Sequence, residues 1–165
     1  MISVDDIRNA YEHIRPFVHR TPLIFSNSFS TMADAAVYLK AENLQKTGSF
    51  KVRGAFNRMI SLKDGKVVAA SMGNHAQGVA LASSILGIHS TIVMPEGVSL
   101  AKQMATLAYG GEVILFGQNT DESLRYAKKL AGRGKFLIHP FDDEQVIAGQ
   151  GTIGLEVLDE LSDAD

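Results

Sequence analysis

The 165-residue chain is 45% hydrophobic and 21% charged, proportions of a soluble globular protein with enough length for one substantial core. A formal net charge of −2 leaves no basic footprint for nucleic acid or an anionic membrane, and no apolar run reaches the span of a bilayer. Cysteine is absent, which excludes disulfides, thiolate metal sites and a thiol nucleophile; the five histidines form no HExxH or HxH pair, so no metal is expected.

The opening "MISVDDIRNAYEHI" carries acids where a targeting peptide carries cations, which points to a cytoplasmic protein, and it reads as a short polar helix. The bend "HRTPLI" and a strand in "AAVYLKAE" follow. In "TGSFKVRGAF" a helix begins, with Val52, Ala55, Phe56, Met59 and Ile60 forming an apolar stripe at helical spacing. Lys51 and Arg53 stand in its first turn, where the helix dipole disfavours cations. A solvated lysine is one explanation. The other is that the helix end and Arg53 both penalise the charged amine, lowering its pKa so that it can attack a carbonyl and form an imine.

From Lys66 the chain alternates. The apolar runs "KVVAAS", "STIVMP", "GEVILFG" and "KFLIHP" recur at roughly the interval of a βα unit, with helical segments between them. The runs are continuous rather than alternating, as in parallel strands covered on both faces, so the expected fold is α/β with an open parallel sheet. Gly87, Gly110–Gly111 and Gly132/Gly134 stand where helices should stop; Ser99 can cap one helix, and Asn119 or Thr120 the next. Residues 142–161 run helically to "GLEVLDEL".

Two glycine-containing stretches invite a ligand. "GQGTIG", Gly149 to Gly154, matches GxGxxG, but a helix already under way precedes it and no acidic residue follows at the required distance, so close helix packing is the better reading. "SMGNHAQG" lies where the strand "VVAAS" ends and a helix begins, the edge at which open parallel sheets bind ligands. Free N–H groups there suit a carboxylate, with Asn74 and His75 as further polar groups at that edge, although for the loop alone an ordinary cap and turn is the better explanation.

Together, "KAENLQKTGSFKVRGAFNRM", "SMGNHAQGVALAS" and "VMPEGVSLAKQMATLAYGGEVILFG" resemble the threonine/serine dehydratases and serine racemases, fold-type II enzymes that use pyridoxal 5′-phosphate. The likeness runs from "RTPL" to "GQGTIGLE" with three blocks in order. It implies that Lys51 holds the cofactor as an imine and removes the substrate's α-proton, that Phe50 packs against the ring, and that Asn74 bonds its phenolic oxygen. It implies that the turn Ser71, Met72, Gly73, Asn74 and His75 grips the carboxylate of a hydroxy-amino acid. "GNHAQG" instead of the "GNTG" of β-replacement enzymes favours elimination. Met72 stands where racemases of the family have a proton-donating serine and dehydratases usually an alanine; methionine donates no proton, and its bulk bears on substrate size.

Members of that family run to roughly twice this length. By resemblance, residues 49–140 form the small domain, 1–48 the first part of a larger one, and 141–165 a helix leading into its remainder, with the glycine-rich phosphate loop still to come. The expected partners are a complementing C-terminal half or a second copy. The alternatives to a threonine/serine ammonia-lyase are a catalytically incomplete assembly half and a hydroxyaspartate dehydratase.

Overall fold

The computed structural model describes residues 1–62 and 65–164. Helix α1 (Val4–Ile14) starts at Ser3, whose hydroxyl accepts from the Asp6 N–H while the Asp6 carboxylate accepts from the Ser3 N–H. This reciprocal cap satisfies two otherwise orphaned donors. Strand β1 (Leu23–Phe25) pairs antiparallel with β2 (Tyr38–Lys40), so part of the expected bend is a strand; α2 (Asn27–Ala33) joins the two. A 3-10 turn (Glu42–Leu44) then leads to α3 (Lys51–Met59).

The alternating region is as expected: β3 (Lys66–Ala70), α4 (Asn74–Leu86), β4 (His89–Met94), α5 (Leu100–Ala108), β5 (Glu112–Leu115), α6 (Thr120–Ala131) and β6 (Lys135–Leu137), followed by α7 (Glu144–Glu160). The four strands form one parallel sheet in the order β5-β4-β3-β6. Gly87 ends α4 in the left-handed conformation, and Asn119 caps α6 by accepting from the Glu122 N–H. Ser99 occupies the cap position of α5 but makes no capping hydrogen bond.

Both faces of the sheet are covered. Val67, Ala69, Ile92 and Met94 pack with Val52, Phe56, Met59 and Val79 of α3 and α4, and Val68, Ala70 and Val93 pack with Ala127 of α6. Full burial of each large side chain is worth about 1.5–3 kcal/mol, so these two layers hold the sheet. Helix α7 crosses α3 at a pair of glycines: a Cβ on Gly149 would stand 2.7 Å from Gly54 Cα. On the other side a Cβ on Gly78 of α4 would stand 3.0 Å from the Val52 nitrogen. The "GQGTIG" stretch therefore lies inside a helix, and its first glycine serves close packing. The start of α3 is wedged between two helices at near backbone contact.

Candidate active site

The sheet order creates a crevice. From β3 the chain moves through α4 to β4 on one side, whereas β6 returns to the other side of β3. Connections diverge here, and the carboxyl edge of such a switch point is where open α/β sheets bind ligands. Ser71–Gly73 follow β3 at this edge, and Ile138–Pro140 follow β6.

Lys51 reaches this edge from the first position of α3. The chain arrives through a turn at Gly48, whose φ of +68° favours glycine. Phe50, at the N-cap, provides no side-chain cap. The Lys51 Nζ donates to the Pro140 carbonyl at 2.8 Å and lies 5.2 Å from the centre of the Phe50 ring, which is 38% exposed. Burial lowers the pKa of the amine below the ordinary lysine value. Arg53 is not the cause, contrary to expectation: its guanidinium is fully buried and bonds Glu42 and Glu156. In the turn leading to the helix, the Thr47 and Ser49 hydroxyls are buried without a partner among the described residues.

At the end of β3, the Ser71 N–H still bonds Val93 of β4, and the Ser71 hydroxyl accepts from the Gly73 N–H. Gly73 caps α4 without a side-chain hydrogen bond, leaving first-turn N–H groups available to an anion. Met72 and Asn74 are exposed. His75 departs from the expectation of a polar group at the open edge: it turns inward, 3% exposed, with Nε2 3.0 Å from the Ile138 carbonyl oxygen. Burial pushes its pKa down to about 4, reinforced by the nearby Lys51 and His139. The neutral ring donates through Nε2, leaving Nδ1 buried and without a partner among the described residues.

Lys51 and His75 thus rest on carbonyls two residues apart, Pro140 and Ile138. Neither acceptor was visible to sequence reasoning, because main-chain oxygens carry no residue signature. Glu42 and Glu156 were also missed, lying 11 and 103 residues from Arg53. Among the described residues no group of three His, Asp or Glu side chains gathers as a metal site, and no helix is long and apolar enough to cross a membrane.

An amine with a weakened proton, set at a switch-point crevice, is suited to capturing a carbonyl. The chain belongs to the pyridoxal-phosphate dependent enzyme family, which matches residues 14–165. It is similar to the catabolic L-threonine dehydratase TdcB of Staphylococcus aureus strain N315, with 51% identity over 167 residues covering 98% of this chain and 48% of that protein. Among solved structures, a threonine deaminase from T.th. superposes with a TM-score of 0.89 at 44% identity, covering 97% of this chain and 52% of the other. A pyridoxal 5′-phosphate-dependent aspartate racemase gives 0.93 at 40%, covering 99% and 53%. The chain spans about half the length of the curated relatives it matches. The residues present fit the family's cofactor: Lys51 offers its aldehyde an amine with a weakly held proton, and Phe50 presents an open ring beside it.

Proposed function

We propose that this chain is the N-terminal half of a pyridoxal 5′-phosphate-dependent ammonia-lyase, which removes the β-hydroxyl of threonine or serine to give a 2-oxo acid and ammonia. The observation that carries this reading is the Lys51 amine, half-buried at the β3/β6 crevice with its proton affinity lowered by burial. The 51% identity to an L-threonine dehydratase supports the substrate class. On this reading residues 49–140 are the small domain, residues 1–48 and 141–165 belong to a larger one, and the phosphate cradle comes from the other half. A cytoplasmic location accompanies it.

Each side chain then has a task. Lys51 anchors the cofactor and afterwards takes the substrate's α-proton at Nζ. Phe50 packs against the cofactor ring, and Asn74, exposed at the first position of α4, bonds the phenolic oxygen. The turn from Ser71 to His75 holds the substrate carboxylate through the free N–H groups at the start of α4; Met72 has no proton to give, which favours elimination over racemisation. When bound, the cofactor withdraws electrons from the substrate's α-carbon.

Mixing the chain with pyridoxal 5′-phosphate should give visible absorbance that borohydride fixes onto the peptide containing Lys51, and Lys51→Ala should stay colourless. Labelling spread over surface lysines would overturn the assignment. Release of 2-oxo acid from threonine, serine and hydroxyaspartate, assayed side by side, then ranks the substrates. A second reading is an assembly half that acts only with its complement or another copy. Specific labelling without turnover supports it, and turnover by the chain alone refutes it.

A further inference from the structure

The side of α3 that bears Arg53 explains how two cations can share the first turn of one helix. The Arg53 guanidinium is 0% exposed and saturated: Nε and Nη2 donate to Glu42 at 2.9 and 2.7 Å, and Nη1 and Nη2 donate to Glu156 at 2.7 and 2.9 Å. Nη1 also reaches the Thr152 hydroxyl at 3.3 Å, and Nη2 the His19 carbonyl at 3.2 Å. Lys40 of β2 adds a second cation, 2.8 Å from Glu156 and itself 8% exposed. Two cations and two anions make a neutral buried unit joining β2, the 3-10 turn, α3 and α7.

We infer that Glu42 and Glu156 balance Arg53 so that its charge does not reach Lys51 two residues away, making this four-ion unit an electrostatic shield for the amine. Its functional meaning rests on the role proposed for Lys51. Around α3, His75 of α4 lies near Lys51, and His139 after β6, partly exposed, lies near His75. Arg58 at the far end of α3 is paired with Asp143 at 2.8 Å. Arg20, Asp159 and Glu160 form an outer rim, Glu160 lying 3.5 Å from Lys40. Among the described residues, the carboxylates of the partly buried Glu42 and the buried Glu156 are the groups that neutralise Arg53. Left unbalanced in a poorly solvated site, its positive charge would act on Lys51 with little screening.

The test is an NMR titration of Lys51 in protein carrying 13C at lysine Cε, with Lys51→Ala to identify the resonance. Glu156→Gln leaves one excess positive charge and should lower the midpoint by about half a pH unit. Arg53→Met leaves one excess negative charge and should raise it by a similar amount. Lys40→Met combined with Glu156→Gln restores balance while keeping the arginine, and should return the midpoint to the wild-type value. If the ions act only through packing, every variant admits water and every midpoint rises together, which would overturn the inference; so would an unmoved midpoint in Glu156→Gln. Loss of folding in the balanced double variant also counts against it, because charge balance would then not be what matters. The titration needs no cofactor, so its failure is distinguishable from failure of pyridoxal phosphate labelling at Lys51.

Discussion

Replacing Gly149 and Gly154 by alanine, one at a time, should change stability in opposite directions although both lie in α7. Alanine is better than glycine inside a helix by about 1 kcal/mol. At Gly154 a new Cβ meets nothing within 4 Å, so Gly154→Ala should stabilise by about 0.5–1 kcal/mol. At Gly149 the same methyl would stand 2.7 Å from Gly54 Cα, 2.8 Å from the Arg53 carbonyl oxygen and 2.9 Å from Asn57 Cβ. Two of these atoms are main chain and cannot rotate away, so α3 and α7 must part. Overpacking of this kind costs about 1–3 kcal/mol, and the unyielding backbone argues for the upper end. The net loss should be about 2 kcal/mol, which lowers Tm by about 4–8 °C in a chain of this size. Gly151 lies between the extremes, since its closest neighbour is the Ile7 side chain at 2.9 Å, which can shift. Thermal and urea denaturation followed by circular dichroism give the ranking. A Gly149→Ala chain melting at or above wild type would refute the tight α3–α7 crossing and the placement of Lys51 that depends on it.

Two further outcomes are expected. Burial holds the His75 pKa at about 4 in the folded chain, below the ordinary histidine value of 6.5, so the folded state binds that proton more weakly than the unfolded one. Its stabilising contribution is therefore complete above about pH 6.5 and is lost as pH falls toward 4, a window worth about 3 kcal/mol; His75→Gln should flatten the fall in urea midpoint over that range, and an unchanged slope would count against the neutral ring. Phe29, Met32 and Leu39 expose an apolar face on α2 and β2, so the isolated chain should self-associate and Met32→Glu should raise the monomer fraction in sedimentation equilibrium. A wild-type chain that stays monomeric at high concentration would refute this.

Much of the architecture was legible because local signals agreed with one another. The four apolar runs beginning at Lys66 became the four parallel strands, and the glycines after α4, α5 and α6 stand where those helices end. The order β5-β4-β3-β6 was not legible, since periodicity reports which face is buried and not which strand lies alongside. β1 escaped notice because three residues within a proline-containing bend are too few for an alternating pattern. At the site, Lys51 was identifiable from its unfavourable place at a helix start, but the physical reason was misassigned. Arg53 looked like an unbalanced neighbour because its carboxylates come from distant segments, and burial rather than like-charge repulsion lowers the amine's proton affinity.

The acceptor that holds the Lys51 amine belongs to the main chain of Pro140. A carbonyl of this kind has no proton to gain or lose across the working range of pH, and no side-chain replacement deletes it. The position of the amine is thus insulated from acidity and from most single replacements.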